Sequence, residues 1–281
     1  MTTNFIMQAP DIARATLDMF ASRTRAGAII PFGAGTPAAY CFPQVAPDDT
    51  LLEAAAQAGC DAAFVPGDRR LNQVRLVAMD MDSTLITIEC IDEIADMQGI
   101  KPEVALITAA AMRGEIEFAE SLRRRVSLLA GLPVAALERV YDERLRLSPG
   151  AERMLTGFAA VGARTALLSG GFTFFTDRLK ARLNLDYTMS NTLDIVDGKL
   201  TGGIAGPIVD AAVKAAALRR LKLEHAGSEG LAVAIGDGAN DLPMFAEADV
   251  AVAYRAKPVV RAKATHAIEH CGLDGVLNLF V

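Results

Sequence analysis

The chain has 281 residues, 52% of them hydrophobic, and a formal net charge of -6. That length and apolar content support two or three compact units with a substantial core. The acidic balance argues against broad binding to nucleic acid or anionic membranes, and it requires any small anionic substrate to meet locally focused positive charge.

Residues 1 to about 72 alternate strand-like and helix-like stretches: Asn4 to Met7, a helix from Asp11 to Ser22, Ala28 to Phe32, Ala38 to Phe42, a helix from Asp49 to Ala58, then Ala62 to Val65. This βαββαβ order predicts a small α+β ferredoxin-like unit. Gly67, Asp68, Arg69 and Arg70 read as a linker out of it, and Gly33-Ala34-Gly35 as either a ligand turn or a loop.

From Leu76 onward three apolar runs each end in a polar or glycine-bearing turn and lead into a helical pattern. They are Leu76 to Met79 before Asp80, Ala166 to Leu168 before Ser169-Gly170-Gly171, and Leu231 to Ile235 before Gly236-Asp237-Gly238. Continuous apolar strands alternating with helices predict a parallel, Rossmann-like sheet covered on both faces, with ligands bound beyond the carboxyl ends of the strands. Between the first two runs, Ile88 to Leu147 reads as helix throughout, with breaks near Gly99 to Pro102, Gly114 and Gly131 to Pro133. An insert of that length exceeds a simple crossover, so a helical cap over residues 88–147 is expected, with the core formed by 73–87 and 148–281. Val196-Asp197-Gly198-Lys199 predicts a hairpin turn joining Tyr187 to Ile195 and Lys199 to Ile204 as a small antiparallel pair.

The four cysteines, Cys41, Cys60, Cys90 and Cys271, lack paired spacing and fit reduced buried thiols in a cytoplasmic protein. No signal-like segment and no apolar stretch of ~18 residues is present, so a soluble protein with no membrane partner is expected. The histidines His225, His266 and His270 share no strand end with the acidic motifs and receive no catalytic role.

The chemistry concentrates in Asp80-Met81-Asp82-Ser83-Thr84. Two carboxylates at the end of a buried strand need compensation, and a hard cation such as magnesium suits them because it takes few protein carboxylates and keeps sites for phosphate oxygens. A carboxylate can also attack phosphorus, dividing a difficult hydrolysis into two easier steps. Ser169 with the Gly170 and Gly171 amides offers a hydroxyl and a turn that phosphate oxygens can approach, although alone a structural turn is the plainer reading. Lys214 lies on a helical stretch, Ile208 to Leu223, where a surface position is the plainer reading. Asp237 is placed to complete a metal site and Asp241 to support it from behind.

The ordered set Asp-x-Asp-x-Thr, a strand ending in Ser169, Lys214 and Gly236-Asp237-Gly238-Ala239-Asn240-Asp241 resembles the haloacid dehalogenase superfamily over roughly residues 72 to 281. More narrowly, the Met81-to-Leu85 stretch with Glu89, the segment Phe118 to Val126, and Ser169-Gly170-Gly171-Phe172 resemble the phosphoserine phosphatase family. The resemblance implies hydrolysis of O-phospho-L-serine with magnesium, held by Asp80, the main-chain carbonyl of Asp82 and Asp237. It implies Asp80 as nucleophile, Asp82 as general acid and base, Ser169, Gly170, Lys214 and Asn240 around the phosphate, Glu89 on the ammonium and Arg125 on the carboxylate. Met112 and Phe118 are the candidate cap-side lining, with ordinary core packing as the alternative.

At about 100° per residue, Phe118, Leu122, Arg125 and Leu129 share one stripe, which sets Arg125 on the apolar face while Arg123 and Arg124 point elsewhere. A guanidinium there needs a planar anion, either a substrate carboxylate or a cap acid such as Glu115 or Glu117. Glu89 begins a helix with Asp92, Glu93 and Asp96, so a solvated acidic face stays open for it. Residues 1–72 are similar in order to ACT-like amino-acid-binding modules, with a structural or homodimer-forming role as the alternative. Another phosphomonoester such as phosphohomoserine, a phosphotransferase activity, and a non-catalytic amino-acid sensor on a degenerate core also stay open at this point.

Overall fold

The computed structural model describes residues 3–33 and 38–280. Two sheets organise it. The first has four strands in the order β2-β3-β1-β4, formed by β1 (Thr3–Ala9), β2 (Ile30–Phe32), β3 (Ala38–Phe42) and β4 (Asp61–Pro66), all antiparallel. Helices α1 (Arg14–Thr24) and α2 (Asp49–Gln57) complete the expected βαββαβ order. Alternation along β1 explains how the unit sits: Phe5 and Met7 pack with Leu17 and Phe20 of α1 and Leu51 of α2, whereas Ile6 faces the opposite way and joins the main core with Cys41, Ala63 and Val65. Helix α1 starts later than Asp11 because Ile12 is buried, and the extended stretch that delivers it to the core delays the first turn. Of the glycine turn Gly33-Ala34-Gly35, residues 34 and 35 lie outside the described residues.

The second sheet has seven strands in the order β11-β10-β9-β5-β6-β7-β8. After β5 (Val74–Met79) come the helices of the insert, α3 (Cys90–Met97), α4 (Lys101–Met112), α5 (Phe118–Ser127) and α6 (Val134–Arg139), then α7 (Ala151–Ala160). The chain continues through β6 (Arg164–Phe172), α8 (Thr173–Leu183), β7 (Tyr187–Val196), β8 (Lys199–Ala205), α9 (Ala211–His225) and β9 (Leu231–Gly236). It ends with α10 (Leu242–Glu247), β10 (Val250–Tyr254), α11 (Pro258–Arg261) and β11 (His266–Ile268). Every pairing is parallel except β7 with β8.

Side chains alternate across β5 as the period of two requires: Leu76 and Ala78 pack with Leu218, Leu221 and Phe245, and Val77 and Met79 pack on the other face with Phe158, Phe175 and Leu179. Both faces are therefore buried, which is why β5 is an unbroken apolar run. The Asp197-Gly198 turn has φ of 49° and 71°, the left-handed pair that a two-residue hairpin needs. The hairpin is not a separate small pair, as its sequence predicts, because β7 also pairs with β6 and so extends the large sheet.

The stretch after β4 is tied down rather than loose. Arg69 donates to His266 Nε2 at 2.8 Å, and burial together with the Arg69 charge holds that imidazole down to about 3, so it stays a neutral acceptor. Asp61 accepts the amides of Glu269 and Cys271, each at 2.8 Å, and that of His270 at 3.1 Å. Gln8 donates to the Gly275 carbonyl at 3.1 Å and accepts from Asn278 Nδ2 at 2.8 Å. Among the described residues, no helix is long and apolar enough to cross a membrane.

Candidate active site

Strands β9, β5 and β6 are neighbours, so the three polar turns after them converge at one end of the sheet. The Asp80 amide donates to the Ile235 carbonyl at 3.0 Å, which carries the β5–β9 ladder to the edge of the site. Asp80 is 5% exposed. Its Oδ1 accepts the Met81 amide at 2.7 Å, and its Oδ2 accepts from Asn240 Nδ2 at 3.0 Å and pairs with Lys214 Nζ at 2.9 Å. Lys214 is only 1% exposed and also donates to Asp241 Oδ1 at 2.6 Å. It is no surface lysine: it lies among the residues of α9 that are buried, with Ala215, Ala217, Leu218 and Leu221, and the ammonium is the buried counter-ion of two carboxylates. Burial pulls the Lys214 pKa down, but Asp80 and Asp241 outweigh it and hold the ammonium above the usual lysine range.

Asp80, Asp237 and Asp241 bring one carboxylate oxygen each within 4.8 Å of one another. Burial, opposed by the Thr84 hydrogen bond and reinforced by Asp80, pushes Asp237 up to about 6. Burial and Asp80 push Asp241 up to about 7 against the pull of Lys214. Three carboxylates facing one ammonium leave excess negative charge, and three hard oxygen donors fit a cation such as magnesium. Asp241 belongs to the cluster and its two oxygens also hold Lys214 and the Gly238 amide, while the Asp82 carboxylate lies outside it.

After Met81 the chain turns sharply, with Ser83 in the left-handed region at φ 55°. The bend aims the Asp82 carboxylate back over the site, where Oδ1 accepts the Cys90 amide at 2.9 Å. Burial, then the Glu89 charge, raises Asp82 well above the usual carboxylate range, which favours its protonated form. A Cβ on Gly171 would lie 2.9 Å from Asp82 Oδ2 and 2.7 Å from Met81 Cε, so glycine alone permits β6 to approach this closely. Ser169 is 1% exposed, and its hydroxyl accepts the Gly171 amide at 2.9 Å.

Glu89 precedes α3 and accepts from Ser83 Oγ at 2.7 Å. Burial, with Asp237, Asp80 and Asp92 adding to it against the Ser83 bond, brings it up to about 7. Two other acids of that face, Glu93 and Asp96, both bind Arg144, at 2.6 and 2.5 Å, whereas Asp92 lies toward Glu89 and Arg125. Glu115 pairs with Arg113 and Glu120 with Arg124, and among the described residues Arg125 has no ion pair. Arg125 is half-buried, its Nε donating only a long 3.4 Å bond to the Ser121 carbonyl. Burial lowers its pKa against the pull of Asp92, Glu89 and Asp82. Phe118 reaches across to Gly170, where a Cβ would meet its ring edge at 3.1 Å. Met112 stands 71% exposed at the end of α4, whose only buried side chain is Val104.

Sequence reading assigned no role to two residues that the structure brings into the site's framework. Thr84, fully buried, donates to Asp237 Oδ1 at 2.8 Å. Its place in the Asp-x-Asp-x-Thr motif was the available signal. Asn191, in the middle of β7, carried none.

The model of the haloacid dehalogenase-like hydrolases matches residues 77–246. The chain belongs to this hydrolase family. It is 52% identical over 221 residues to the phosphoserine phosphatase of Polaromonas sp. strain JS666, an alignment covering 75% of this chain and 92% of that one. Among solved structures, the hydrolase resembles a probable phosphoserine phosphatase from Vibrio cholerae in unliganded form, with a TM-score of 0.83, 39% identity and coverage of 99% and 86%. It also resembles a phosphoserine phosphatase solved as a phospho-aspartyl intermediate analogue, with a TM-score of 0.68, 38% identity and coverage of 74% and 99%. The first of these two structures aligns over the four-stranded sheet as well.

Proposed function

We propose that this hydrolase is a phosphoserine phosphatase, converting O-phospho-L-serine and water to L-serine and phosphate through an aspartyl phosphate on Asp80, the last step of serine biosynthesis. The observation that carries the reading is a charge pattern: an acid cluster only partly neutralised by buried Lys214 at the strand ends, and, on the helical insert, an Arg125 near Glu89 that has no ion pair among the described residues. A phosphate dianion suits the first region once a cation is bound, and the carboxylate and ammonium of an amino acid suit the second. The names of the relatives above, phosphoserine phosphatases in each case, support the same choice.

Asp80, Asp237 and the main-chain carbonyl of Asp82 would hold magnesium, with Asp241 fixing Lys214 and the Gly238 amide behind them. When bound, magnesium supplies neutralising charge that lets the phosphate and a carboxylate approach each other. Asp80 attacks phosphorus as the bond to the serine oxygen breaks, and protonated Asp82 gives its proton to that oxygen. Lys214, the Ser169 hydroxyl and the Gly170 amide take the phosphoryl oxygens. Asp82, now a carboxylate, then removes a proton from the water that attacks the aspartyl phosphate, releasing phosphate and restoring Asp80. Arg125 and Glu89 grip the carboxylate and ammonium, and Phe118 over Gly170 helps exclude water.

The test is phosphate release from O-phospho-L-serine with and without magnesium, beside a panel of sugar, nucleotide and homoserine phosphates. Selective, magnesium-dependent release from phosphoserine is expected. Faster release from the other esters would overturn the roles of Glu89 and Arg125 while keeping the chemistry at Asp80.

A further inference from the structure

Strand β6 does not run straight through the site. Its pairing with β7 is regular from Ala166 to Leu168 and resumes only at Phe172 opposite Asn191, so Ser169, Gly170 and Gly171 bulge out of the ladder. A bulge of this kind turns the Ser169 hydroxyl and the glycine amides toward the site, and it leaves the Gly170 carbonyl without a strand partner. A buried carbonyl without a partner is costly and rarely left so. Asn191 provides that partner from β7. Its Nδ2 donates to the Gly170 carbonyl at 2.8 Å.

The same amide does more. Its Oδ1 accepts the Val209 amide at 2.8 Å, and its Nδ2 lies 3.3 Å from the Val209 carbonyl. Val209 stands next to Asp210, whose carboxylate caps the start of α9 by accepting the Val213 amide at 2.9 Å. The residue after Val213 is Lys214. Asn191 is 1% exposed, so these bonds are shielded from competing water and the carboxamide has one usable orientation. One side chain thus joins the turn that faces the phosphoryl group to the peptide that launches the helix carrying the buried ammonium.

We infer that Asn191 is a positioning residue that fixes the Ser169–Gly171 bulge and the start of α9 relative to each other, so that the turn and Lys214 meet one phosphoryl group. It touches neither substrate nor reacting atoms. Its effect falls on the phosphate end of the substrate and spares the amino-acid end, which Glu89 and Arg125 hold from other elements. This inference rests on the phosphatase reading above for its substrate, but not for its phosphate.

The experiment compares the 281-residue protein with Asn191→Leu, which keeps the branched shape at a somewhat larger volume and deletes all three hydrogen bonds, and with Asn191→Ser, whose shorter side chain removes the direct bond to Gly170 but leaves room for a bridging water. Binding of inorganic phosphate in the presence of magnesium is measured by calorimetry, inhibition of turnover by L-serine gives the amino-acid end, and urea unfolding gives global stability. For folded Asn191→Leu, phosphate affinity and kcat each fall about 10-fold or more, because small displacements of a pre-aligned site are expensive, while the L-serine inhibition constant stays within about twofold. Asn191→Ser falls between, and it carries the comparison if the leucine variant does not fold. Unchanged phosphate affinity in a folded variant overturns the inference. Parallel loss of phosphate and serine binding also overturns it, because that is the signature of a merely structural residue. If the wild-type protein binds phosphate but does not hydrolyse phosphoserine, the substrate reading fails, and the phosphate affinities alone still decide the role of Asn191.

Discussion

Lys214 Nζ lies 2.9 Å from Asp80 Oδ2, both side chains almost wholly buried, and a second bond of 2.6 Å ties the same ammonium to Asp241. A cation so placed offsets part of the carboxylate charge of the site and leaves the rest for a metal ion. Lys214→Met removes that ammonium and leaves the buried acids uncompensated, which destabilises the fold by about 3–5 kcal/mol near pH 8. The loss is smaller at pH 5, where Asp237 and Asp241, raised to about 6 and about 7, are protonated. Urea unfolding at the two pH values checks this.

Magnesium and protons compete for the same acids. Asp237, Asp241 and Glu89 have folded-state pKa values raised above their unfolded ones, to about 6, 7 and 7. Their contribution to stability is therefore fully present below about pH 4 and is lost as pH rises through 6 to 7. In metal-free protein this component of stability declines across that window. In the proposed reading magnesium binds deprotonated Asp237 together with Asp80, so the rise in Tm that it produces is larger at pH 8 than at pH 5.5, as thermal unfolding with and without chelator will show.

Asp82 is expected to act through its proton, so Asp82→Asn lowers kcat by about 10²- to 10⁴-fold. It leaves the magnesium-induced rise in Tm intact, because the side chain stands apart from the cluster of Asp80, Asp237 and Asp241. Steady-state kinetics and thermal unfolding on one preparation separate the two effects.

In the proposed reading Arg125 is the partner of the substrate carboxylate, and Arg125→Ala removes it. KM for phosphoserine rises by at least about 10-fold, the scale of a lost charged hydrogen bond, while turnover of phosphoethanolamine, which lacks the carboxylate, changes little. An equal effect on both compounds would remove Arg125 from substrate recognition.

Asp61 is 5% exposed and accepts three amides from residues 269–271, joining the four-stranded sheet to the end of the large one. Asp61→Ala leaves those amides unpaired and costs about 2–3 kcal/mol, read as a lower urea midpoint.

Much of this was legible in the sequence because β5, β6 and β9 lie inside a covered parallel sheet. Their strands had to be unbroken apolar runs, and polar residues could appear only where the strands end, which put Asp80, Ser169 and Asp237 at one site before any coordinates. The stripe containing Phe118 and Arg125 was legible for a similar reason, since the period of α5 separates Arg125 from Arg123 and Arg124. Lys214 was not. Helix α9 is alanine-rich with no clear polar face, so nothing local distinguishes a buried lysine from a solvated one until Asp80 and Asp241 arrive from other elements. Asn191 was silent because its role depends on a bulge in the neighbouring strand. The continuation of β6 to Phe172 was hidden by the same bulge, whose Ser-Gly-Gly sequence reads as a turn.

In the proposed reaction a carboxylate oxygen of Asp80 forms the bond to phosphorus. The direct measurement is acid quenching of the protein milliseconds after mixing with O-phospho-L-serine and magnesium, followed by mass analysis of its peptides. The account predicts one phosphoryl group on the peptide that contains Asp80, formed before L-serine and phosphate reach their steady rate and absent in Asp80→Asn. Steady phosphate release with no phosphoryl group on that peptide, or with full activity in Asp80→Asn, would contradict it.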